Sequence, residues 1–277
     1  MGFLNKISDS CYYKKNKKSL NRIIALANQK GGVGKSTTAV NVSAYLSYFG
    51  FKTILVDIDP QSNSTSGLGI SPGSIGTSVY NVLISNMDPN KVILATSYEN
   101  LKIIPSSIQL AGAEIELVSS LKREYKLKEA LKRIEESYDF IIIDCPPALG
   151  LLTINALTAA TEVIVPIQCE YYALEGLGQL VDTIDLVREN LNEDLEVKGV
   201  VMTMYDSRIK LAGQVVSEVK KYFPEKVYET IIPRNVRLSE APSYGKPIMV
   251  YNPECKGALA YKSLTKEVIE DGKKRIG

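Results

Sequence analysis

A glycine-rich run, KGGVGKST at residues 30–37, follows a short apolar segment and precedes a segment with helical periodicity. Its glycines let the backbone pass close to phosphate oxygens with the N–H groups pointing inward, and the following helix contributes the positive end of its dipole. Strand, loop and helix in this order predict a phosphate-binding loop. A simple glycine turn is the alternative, and the flanking strand and helix disfavour it. We therefore predict that the chain binds a nucleoside triphosphate with Mg²⁺.

Two side chains of the loop carry most of the expected chemistry. Lys35 is placed to neutralise the β and γ phosphates, and the Ser36 hydroxyl is placed to bind Mg²⁺. The predicted nucleotide contacts in the loop are Lys30, Gly31, Gly32, Val33, Gly34, Lys35, Ser36 and Thr37.

Short apolar runs alternate along the chain with longer segments of helical periodicity. The predicted strands are residues 23–27, 53–57, 101–104, 140–144, 162–167, 198–204 and 227–232. The predicted helical segments are residues 37–49, 109–137, 174–191 and 211–223. This alternation predicts an α/β fold, a mostly parallel twisted sheet flanked by helices on both faces. Ligands of such sheets bind beyond the carboxyl ends of the strands, where the glycine-rich run lies.

Composition limits the classes of protein that fit. A chain of 277 residues that is 45% hydrophobic can bury one large core, so residues 21–277 are predicted to form a single domain. Residues 1–20 are basic and aperiodic, and we predict a disordered extension. No apolar run has the length of a membrane span and no secretory signal is evident, so we expect a cytoplasmic protein. Four dispersed cysteines indicate neither a zinc site nor a disulfide framework.

Aspartates end two of the predicted strands. Asp57 and Asp59 lie in VDIDPQ, and Asp144 lies in IIIDCPP after a run of apolar residues. A carboxylate at this point suits magnesium coordination, although a helix cap or a turn is an alternative for each aspartate alone. The chain contains no histidine. A water positioned by a carboxylate is therefore the evident route to hydrolysis.

Basic charge is concentrated at the two ends of the chain. Residues 1–22 hold six Lys/Arg and one acid, residues 23–199 hold thirteen against twenty-one, and residues 200–277 hold fourteen against nine. A basic segment in a chain with a net charge of only +2 indicates either a face that binds a polyanion or a solvated lysine-rich surface.

The loop departs from the usual phosphate-loop pattern at one point. Gln29 stands where glycine is common, and the additional lysine Lys30 follows it. In this the loop resembles the deviant Walker A motif, KGGxGK[ST], of the ParA/MinD superfamily. From about residue 22 to the C-terminus the chain is most similar to the chromosomal ParA group, often called Soj. The segments that carry this resemblance include DIDPQSNSTSGLG, IIIDCPPALGLLTINAL, TMYDSR and IPRNVRLSEAPSYGKPI.

The resemblance implies a slow ATPase that uses ATP and Mg²⁺. In that family, ATP drives a nucleotide-sandwich homodimer that binds double-stranded DNA without sequence preference, and a ParB-type partner stimulates hydrolysis and release. A nucleoid-associated protein for chromosome or plasmid segregation is therefore expected. Lys30 would reach the phosphates of the partner subunit, and Asp59 would orient the attacking water. Magnesium and its waters would be held by Ser36, Asp57, Asp59 and Asp144.

Four further residues are assigned by the resemblance. Pro233 and Asn235 match positions that contact adenine, and Arg208 and Arg237 match arginines that bind DNA phosphates. Both arginines lie in the basic last third, and a guanidinium suits backbone phosphates, which carry no sequence information. The alternative for each arginine is an exposed or ion-paired surface residue.

Three other functions remain as alternatives. A MinD-like membrane-cycling ATPase would need an amphipathic C-terminal helix, and the end of the chain, TKEVIEDGKKRIG, is mixed in charge and interrupted by Gly272. An iron–sulphur relative would need cysteines that meet at a dimer axis or in a CxxC pair, and neither is evident. A DNA-binding scaffold with a vestigial nucleotide site is disfavoured because the expected site residues are all present, namely Lys30, Lys35, Ser36, Asp59 and Asp144.

Overall fold

The computed structural model describes residues 21–170 and 177–273, and this part of the chain is built around one seven-stranded sheet. The strands are β1 (Arg22–Leu26), β2 (Thr53–Asp57), β3 (Leu94–Ala95), β4 (Leu101–Ile104), β5 (Phe140–Asp144), β6 (Glu162–Gln168) and β7 (Glu196–Thr203). Their order across the sheet is β3-β4-β2-β5-β1-β6-β7. All neighbouring strands are parallel except β3 and β4. The predicted α/β class is confirmed.

Helices cover both faces of this sheet. They are α1 (Lys35–Tyr48), α2 (Asn63–Gly67), α3 (Val79–Leu83), α4 (Leu110–Val118), α5 (Lys126–Leu131), α6 (Leu151–Ala159), α7 (Leu177–Asn190), α8 (Lys210–Tyr222), α9 (Val236–Glu240), α10 (Ile248–Tyr251) and α11 (Lys256–Lys273). Because both faces are covered, the strands are apolar throughout. Ile54 and Val56 of β2 belong to one core, whereas Leu55 belongs to the other, which is closed by Leu46 of α1 and Leu264 of α11.

Six of the seven predicted strands are confirmed, with shifts of at most two residues at their ends. The seventh, residues 227–232, is wrong. Val227 forms one isolated parallel bridge with Val200 of β7, and Pro233, the residue after the segment, forms another with Tyr205. The two bridges are not joined into a continuous strand. Between the bridges, the N–H groups of Glu229 and Thr230 donate to the carboxylate of Glu267 in α11, at 2.8 and 2.9 Å. A side chain 37 residues away thus replaces the ladder of a sheet, and apolar periodicity does not reveal it.

The helical segment predicted for residues 109–137 is divided in the structure. It forms α4, a 3₁₀ turn at Arg123–Tyr125 and α5. The division occurs at Lys122, whose φ of 51° is in the left-handed region that an α-helix cannot use. The segments predicted at 37–49 and 211–223 correspond to α1 and α8, and α7 is described from Leu177 to Asn190 within the segment predicted at 174–191. Strand β3 has only two residues and was not predicted.

A buried ion pair joins the amino ends of two central strands. Arg22 begins β1 and Glu162 begins β6, and their side chains are 6% and 1% exposed. The Arg22 Nε donates to both carboxylate oxygens of Glu162, at 3.0 and 3.1 Å. The same guanidinium donates to the carbonyl of Val268 in α11 and lies 5.4 Å from the centre of the Phe140 ring. One cation therefore connects two strands and the last helix.

Helix α11 continues through Gly272 to Lys273, so the interruption predicted at that glycine is wrong. One internal glycine costs a helix only about 1 kcal/mol, which the packing of the preceding turns offsets. The apolar face of α11, including Tyr261, Leu264 and Val268, is buried in the core. In the described residues, no helix combines the length and the apolar character needed to cross a membrane. The predicted extension at residues 1–20 lies outside the described residues.

Candidate functional site

The loop between β1 and α1 is fixed by a buried asparagine. Asn28 donates from Nδ2 to the carbonyl of Pro166 at 2.7 Å, and its Oδ1 accepts the N–H of Lys30 at 2.9 Å. Gly32 and Gly34 have φ angles of 73° and 91°, which side chains other than glycine adopt only with strain. Helix α1 begins directly after Gly34 and has no acidic residue in its first turn. The positive end of its dipole is therefore available to an anion.

Lys35 is the buried cation of the loop. The residue is 6% exposed, and its Nζ donates to the carbonyl oxygen of Lys30 at 3.0 Å. Burial lowers the pKa of Lys35, and the nearby carboxylates of Asp144 and Asp59 act in the opposite direction. An ammonium group held in this way has protons left to donate to phosphate oxygens.

Thr203 connects the loop to β7, which is an edge strand of the sheet. It ends β7 and is 2% exposed, and its hydroxyl lies 2.8 Å from the carbonyl of Val33 and 3.2 Å from that of Ile167. Thr203 is not among the site residues predicted from the sequence. A lone hydroxyl at the carboxyl end of an apolar strand was the available signal.

Asp57 and Asp144 lie opposite each other at the carboxyl ends of β2 and β5. Both oxygens of Asp57 already accept hydrogen bonds from the protein. Its Oδ1 accepts the N–H of Asp59 at 3.1 Å, and its Oδ2 accepts the N–H and hydroxyl of Thr65 at 2.8 and 2.7 Å. Burial, and then the charge of Asp144, raises the pKa of Asp57 to about 8. This carboxyl group is therefore placed to hold the segment from residue 58 to residue 65.

Asp144 differs from Asp57 in having a free oxygen. Its Oδ2 accepts the hydroxyl of Ser64 at 2.7 Å, whereas its buried Oδ1 has no hydrogen-bond partner. Burial raises the pKa of Asp144 to about 6, while the hydroxyls of Ser64 and Ser36 and the charge of Lys35 favour its ionised form. A buried carboxylate oxygen without a partner fits a cation or a water bound to one.

The donor set near Asp144 is suited to one kind of metal. Within residues 21–170 and 177–273, no group of three or more Cys, Asp or Glu side chains is placed to hold a metal by itself. Mg²⁺ does not need such a cage, because it keeps several waters and takes ligands from substrate phosphates. A hydroxyl from Ser36 and a carboxylate oxygen from Asp144 are the kind of ligands that it accepts. The residues present therefore fit Mg²⁺ bound together with a phosphate.

Asp59 lies at the edge of the site. It is 5% exposed, its Oδ1 accepts the N–H of Gln61 at 2.9 Å, and its carbonyl accepts the hydroxyl of Ser106 at 2.7 Å. It also lines a cleft that Lys35 and Ser36 share. Its carboxylate is thus held by the backbone of its own turn at a place where a ligand can reach it.

One cleft of about 610 Å³ collects most of the residues named from the sequence. Its wall contains Gly32, Gly34, Lys35, Ser36, Thr37 and Asp59 on one side and Pro233 and Asn235 on the other. The second side is held against the end of β7, because Tyr205 donates its N–H to Ile232 and accepts that of Arg234, at 3.1 and 2.8 Å. A nucleoside triphosphate needs a cleft of this size, with phosphate donors at one end and apolar and amide groups at the other.

A second residue that the sequence did not single out braces this cleft. Asn41 of α1 lines the wall, and its Nδ2 donates to the carbonyl of Thr37 at 2.8 Å. Its Oδ1 accepts the N–H of Ile248 at 2.7 Å, which joins α1 to α10. An amide among the apolar residues of a buried helix was the available signal.

Lys30 is placed differently from the rest of the loop. Its backbone is fixed by Asn28 and by Lys35, whereas its half-buried side chain is not part of the cleft wall. Among the described residues, the structure thus separates the two loop lysines, with Lys35 on the cleft and Lys30 outside its wall.

Arg208 and Arg237 lie on the surface, and the sequence neighbours of Arg237, Val236 and Leu238, line the cleft. Their side chains are 86% and 53% exposed. Arg208 pairs with Asp206 at 2.6 Å, and Arg237 pairs with Glu240 at 2.7 Å. Both arginines are therefore on the surface, where DNA could reach them. Both are also ion-paired, which is the alternative that the sequence left open.

Comparison with known proteins agrees with this geometry. A family model described as an AAA domain matches residues 21–197. The sporulation initiation inhibitor protein Soj of Bacillus subtilis (strain 168) is 58% identical over 253 residues, which cover 91% of this chain and all of that protein. The chain belongs to the ParA/Soj family. A chromosome partitioning protein ParA of Myxococcus xanthus is 50% identical over 91% of this ParA/Soj chain and 89% of its own length.

Solved structures place this ParA/Soj chain among nucleotide-binding relatives. A cobyrinic acid a,c-diamide synthase from Mycobacterium smegmatis, with a bound ATP analogue and magnesium, is 39% identical with a TM-score of 0.81, covering 91% of this chain and 96% of its own. The septum site-determining protein MinD from Pyrococcus horikoshii, complexed with Mg-ADP, is 26% identical with a TM-score of 0.69, covering 89% and 95%.

Proposed function

We propose that this ParA/Soj chain is an ATP-driven DNA-partitioning switch, in which the nucleotide state of the cleft sets the affinity of the neighbouring surface for DNA. One observation carries the proposal. Asn235 lines the cleft, and its Oδ1 accepts the N–H of Arg237 at 2.9 Å as the cap of helix α9. A residue proposed to contact adenine and an arginine proposed to contact DNA are thus two positions apart and share a hydrogen bond.

ATP and Mg²⁺ are the proposed ligands of the cleft. Lys35 and the N–H groups at the start of α1 would bind the β and γ phosphates, and Pro233 with Asn235 would contact the adenine. Ser36 and Asp144 would hold Mg²⁺, which would neutralise the negative charge on the phosphates during transfer. The nucleotides and magnesium bound by the mycobacterial synthase and by MinD support this choice.

We propose different roles for the two aspartates at the end of β2. Asp59, which lines the cleft, would orient the attacking water and accept its proton. Asp57 would act indirectly, because its oxygens bind Asp59 and Thr65. We therefore revise the role expected of Asp57 from a holder of Mg²⁺ and its waters to a residue that positions the Asp59 turn.

Dimerisation is proposed from the position of Lys30. The half-buried side chain of Lys30 does not line the cleft of its own chain, and we propose that it reaches the cleft of a second copy. A cation supplied in this way would stabilise negative charge that develops on the transferred phosphoryl group. The ATP-bound form would then be a sandwich of two chains, and hydrolysis, slow alone and stimulated by a ParB-type protein, would release them.

The cellular role follows from the family. The relatives named for chromosome partitioning and for sporulation control support action on the chromosome or a plasmid, in association with the nucleoid. We also infer that residues 21–277 act as one domain, because the last helix returns to the first. Tyr45 of α1 donates its hydroxyl to the carbonyl of Ala258 in α11 at 2.8 Å.

Replacing either surface arginine by alanine tests this function. Arg208→Ala and Arg237→Ala are each expected to weaken binding to DNA of arbitrary sequence by about tenfold or more, because each removes a bidentate phosphate donor. Fluorescence anisotropy of a labelled duplex, with ATP and Mg²⁺ present, gives the affinity. Arg188→Ala is the matched control, since Arg188 is a half-exposed, ion-paired arginine of α7 in the acidic part of the chain.

ATP affinity is measured in parallel on the same variants. We expect both arginine variants to keep the ATP affinity of the wild-type protein, because neither arginine is part of the cleft wall. Full DNA affinity in both variants would contradict the proposed surface. Loss of ATP and DNA binding together would show that the arginines support the fold of the cleft.

A further inference from the structure

Every arginine that the structure describes between residues 200 and 273 pairs with a carboxylate. The pairs are Arg208 with Asp206 at 2.6 Å, Arg234 with Glu170 at 2.8 Å and Arg237 with Glu240 at 2.7 Å. The basic charge that the sequence places in this third is therefore locally neutralised at its arginines. That neutralisation matters most at the two arginines proposed to bind phosphate.

Asp206 holds Arg208 in the geometry that a phosphate would use. The Nε of Arg208 donates to Oδ1 of Asp206 at 2.9 Å, and its Nη2 donates to Oδ2 at 2.6 Å. This is the paired contact by which a guanidinium binds carboxylate or phosphate. The arginine side chain is 86% exposed, whereas that of Asp206 is only 12% exposed. The carboxylate is thus the fixed member of the pair, and the arginine is the member that can move.

Glu240 holds Arg237 through a single contact, and the Glu240 side chain is 36% exposed against 53% for the arginine. Its Oε2 accepts Nη1 of Arg237 at 2.7 Å and the hydroxyl of Tyr251 at 2.9 Å. The ring of Tyr251 lies 5.0 Å from that of Tyr244, centre to centre. The hydroxyl of Tyr251 therefore helps to keep this carboxylate beside the arginine.

We propose that Asp206 and Glu240 limit the affinity of this protein for DNA, by occupying the phosphate-binding sides of Arg208 and Arg237 until DNA displaces them. The inference rests on the proposed function of the two arginines. Exposed ion pairs are weak, so a polyanion can displace them. Each displacement nevertheless lowers the net gain and leaves a carboxylate near the phosphates.

The physical consequence concerns the number of subunits that bind. A single chain presents two masked arginines, whereas two chains held together present four, and the second set binds at a high effective concentration. With its arginines masked, one chain binds DNA too weakly to stay on it, whereas two chains held together bind tightly enough to stay. The masking also lets DNA dissociate readily once the two chains separate.

Removing the two carboxylates while keeping their shape tests the proposal. Asp206→Asn retains an oxygen to accept the Arg208 N–H, which Asp206 binds at 3.0 Å, so the turn is preserved. Asp206→Asn and Glu240→Gln should each bind DNA roughly three- to tenfold more tightly, and the double variant should bind DNA measurably in ADP. Asp185→Asn is the control, because it removes the same charge from an exposed aspartate paired with Arg188 on α7.

Anisotropy with a labelled duplex of arbitrary sequence is read at several salt concentrations. The gain from Asp206→Asn should vanish when Arg208→Ala is also present, which a general effect of net charge would not do. Unchanged or weaker DNA binding in both single variants, or an equal gain in Asp185→Asn, would overturn the proposal. If wild-type protein binds DNA in ATP and loses it on Arg208→Ala, such a result removes this inference alone. If wild-type protein does not bind DNA at all, the proposed function fails as well.

Discussion

Asp59→Ala is expected to slow ATP hydrolysis by roughly 10²- to 10⁴-fold and to leave the ATP-bound protein on DNA. The chain has no histidine, and Asp59 is the strand-end carboxylate that forms part of the cleft wall. Asp57 and Asp144 do not replace it, since both oxygens of Asp57 are bound by Asp59 and Thr65, and the free oxygen of Asp144 is the one proposed to hold Mg²⁺. Phosphate release under single-turnover conditions and DNA retention after a chase with ADP measure the two effects.

Asp59→Asn separates the charge of this residue from its structural role. Asparagine keeps an oxygen that can accept the N–H of Gln61, now bound at 2.9 Å, but it cannot take a proton from water. Both variants should therefore be slow. Wild-type turnover in Asp59→Ala would remove the assignment, and slow turnover in the alanine variant alone would mean that Asp59 only shapes its turn.

Glu162→Gln is expected to lower the free energy of unfolding by about 3–5 kcal/mol, because it leaves the Arg22 guanidinium buried without its counter-charge. Both side chains are almost fully buried, and the pair joins two strands whose residues are 140 positions apart. The midpoint of urea unfolding measures the change. Neither Arg22 nor Glu162 lines the cleft, so the loss should appear in stability at saturating nucleotide as well as without it.

The matched control for this pair is Glu129→Gln. Glu129 pairs with Lys132 at 2.9 Å, and both side chains are more than half exposed. Exposed pairs contribute little, so the midpoint should move far less than in Glu162→Gln. Equal shifts in the two variants would show that the buried pair contributes no more to stability than an exposed one.

The sequence predicted well those parts of the fold that depend on local pattern. Buried strands such as β2 and β5 are continuous apolar runs, and their bounds were predicted without error. The segment at 227–232 has a similar pattern but loses its ladder to Glu267, a contact that periodicity does not contain. The division between α4 and α5 depends on the backbone of Lys122, and a lysine gives no sign of a positive φ.

The residues that line the cleft could be predicted where candidate chemistry is concentrated in short motifs. The glycine loop, Lys35 and Asp59 could be named because each motif combines residue type with a position at a strand's end. Contacts across the chain could not be named, as with Thr203, which braces the loop at Val33. The pairing of Arg208 with Asp206 is an intermediate case. Both residues stand in the motif DSR, yet nothing in three letters shows that the carboxylate is the fixed member.

Binding of the wild-type protein to a DNA duplex of arbitrary sequence, compared between ATP and ADP at saturating Mg²⁺, tests whether the cleft controls the surface. Tight binding in ATP, weak binding in ADP and an affinity that falls steeply with salt are expected, because the contacts are to phosphates. The same experiment on a second duplex of unrelated sequence should give the same affinity. Equal binding in ATP and ADP would contradict the switch, since the cleft and the arginine surface would then act independently.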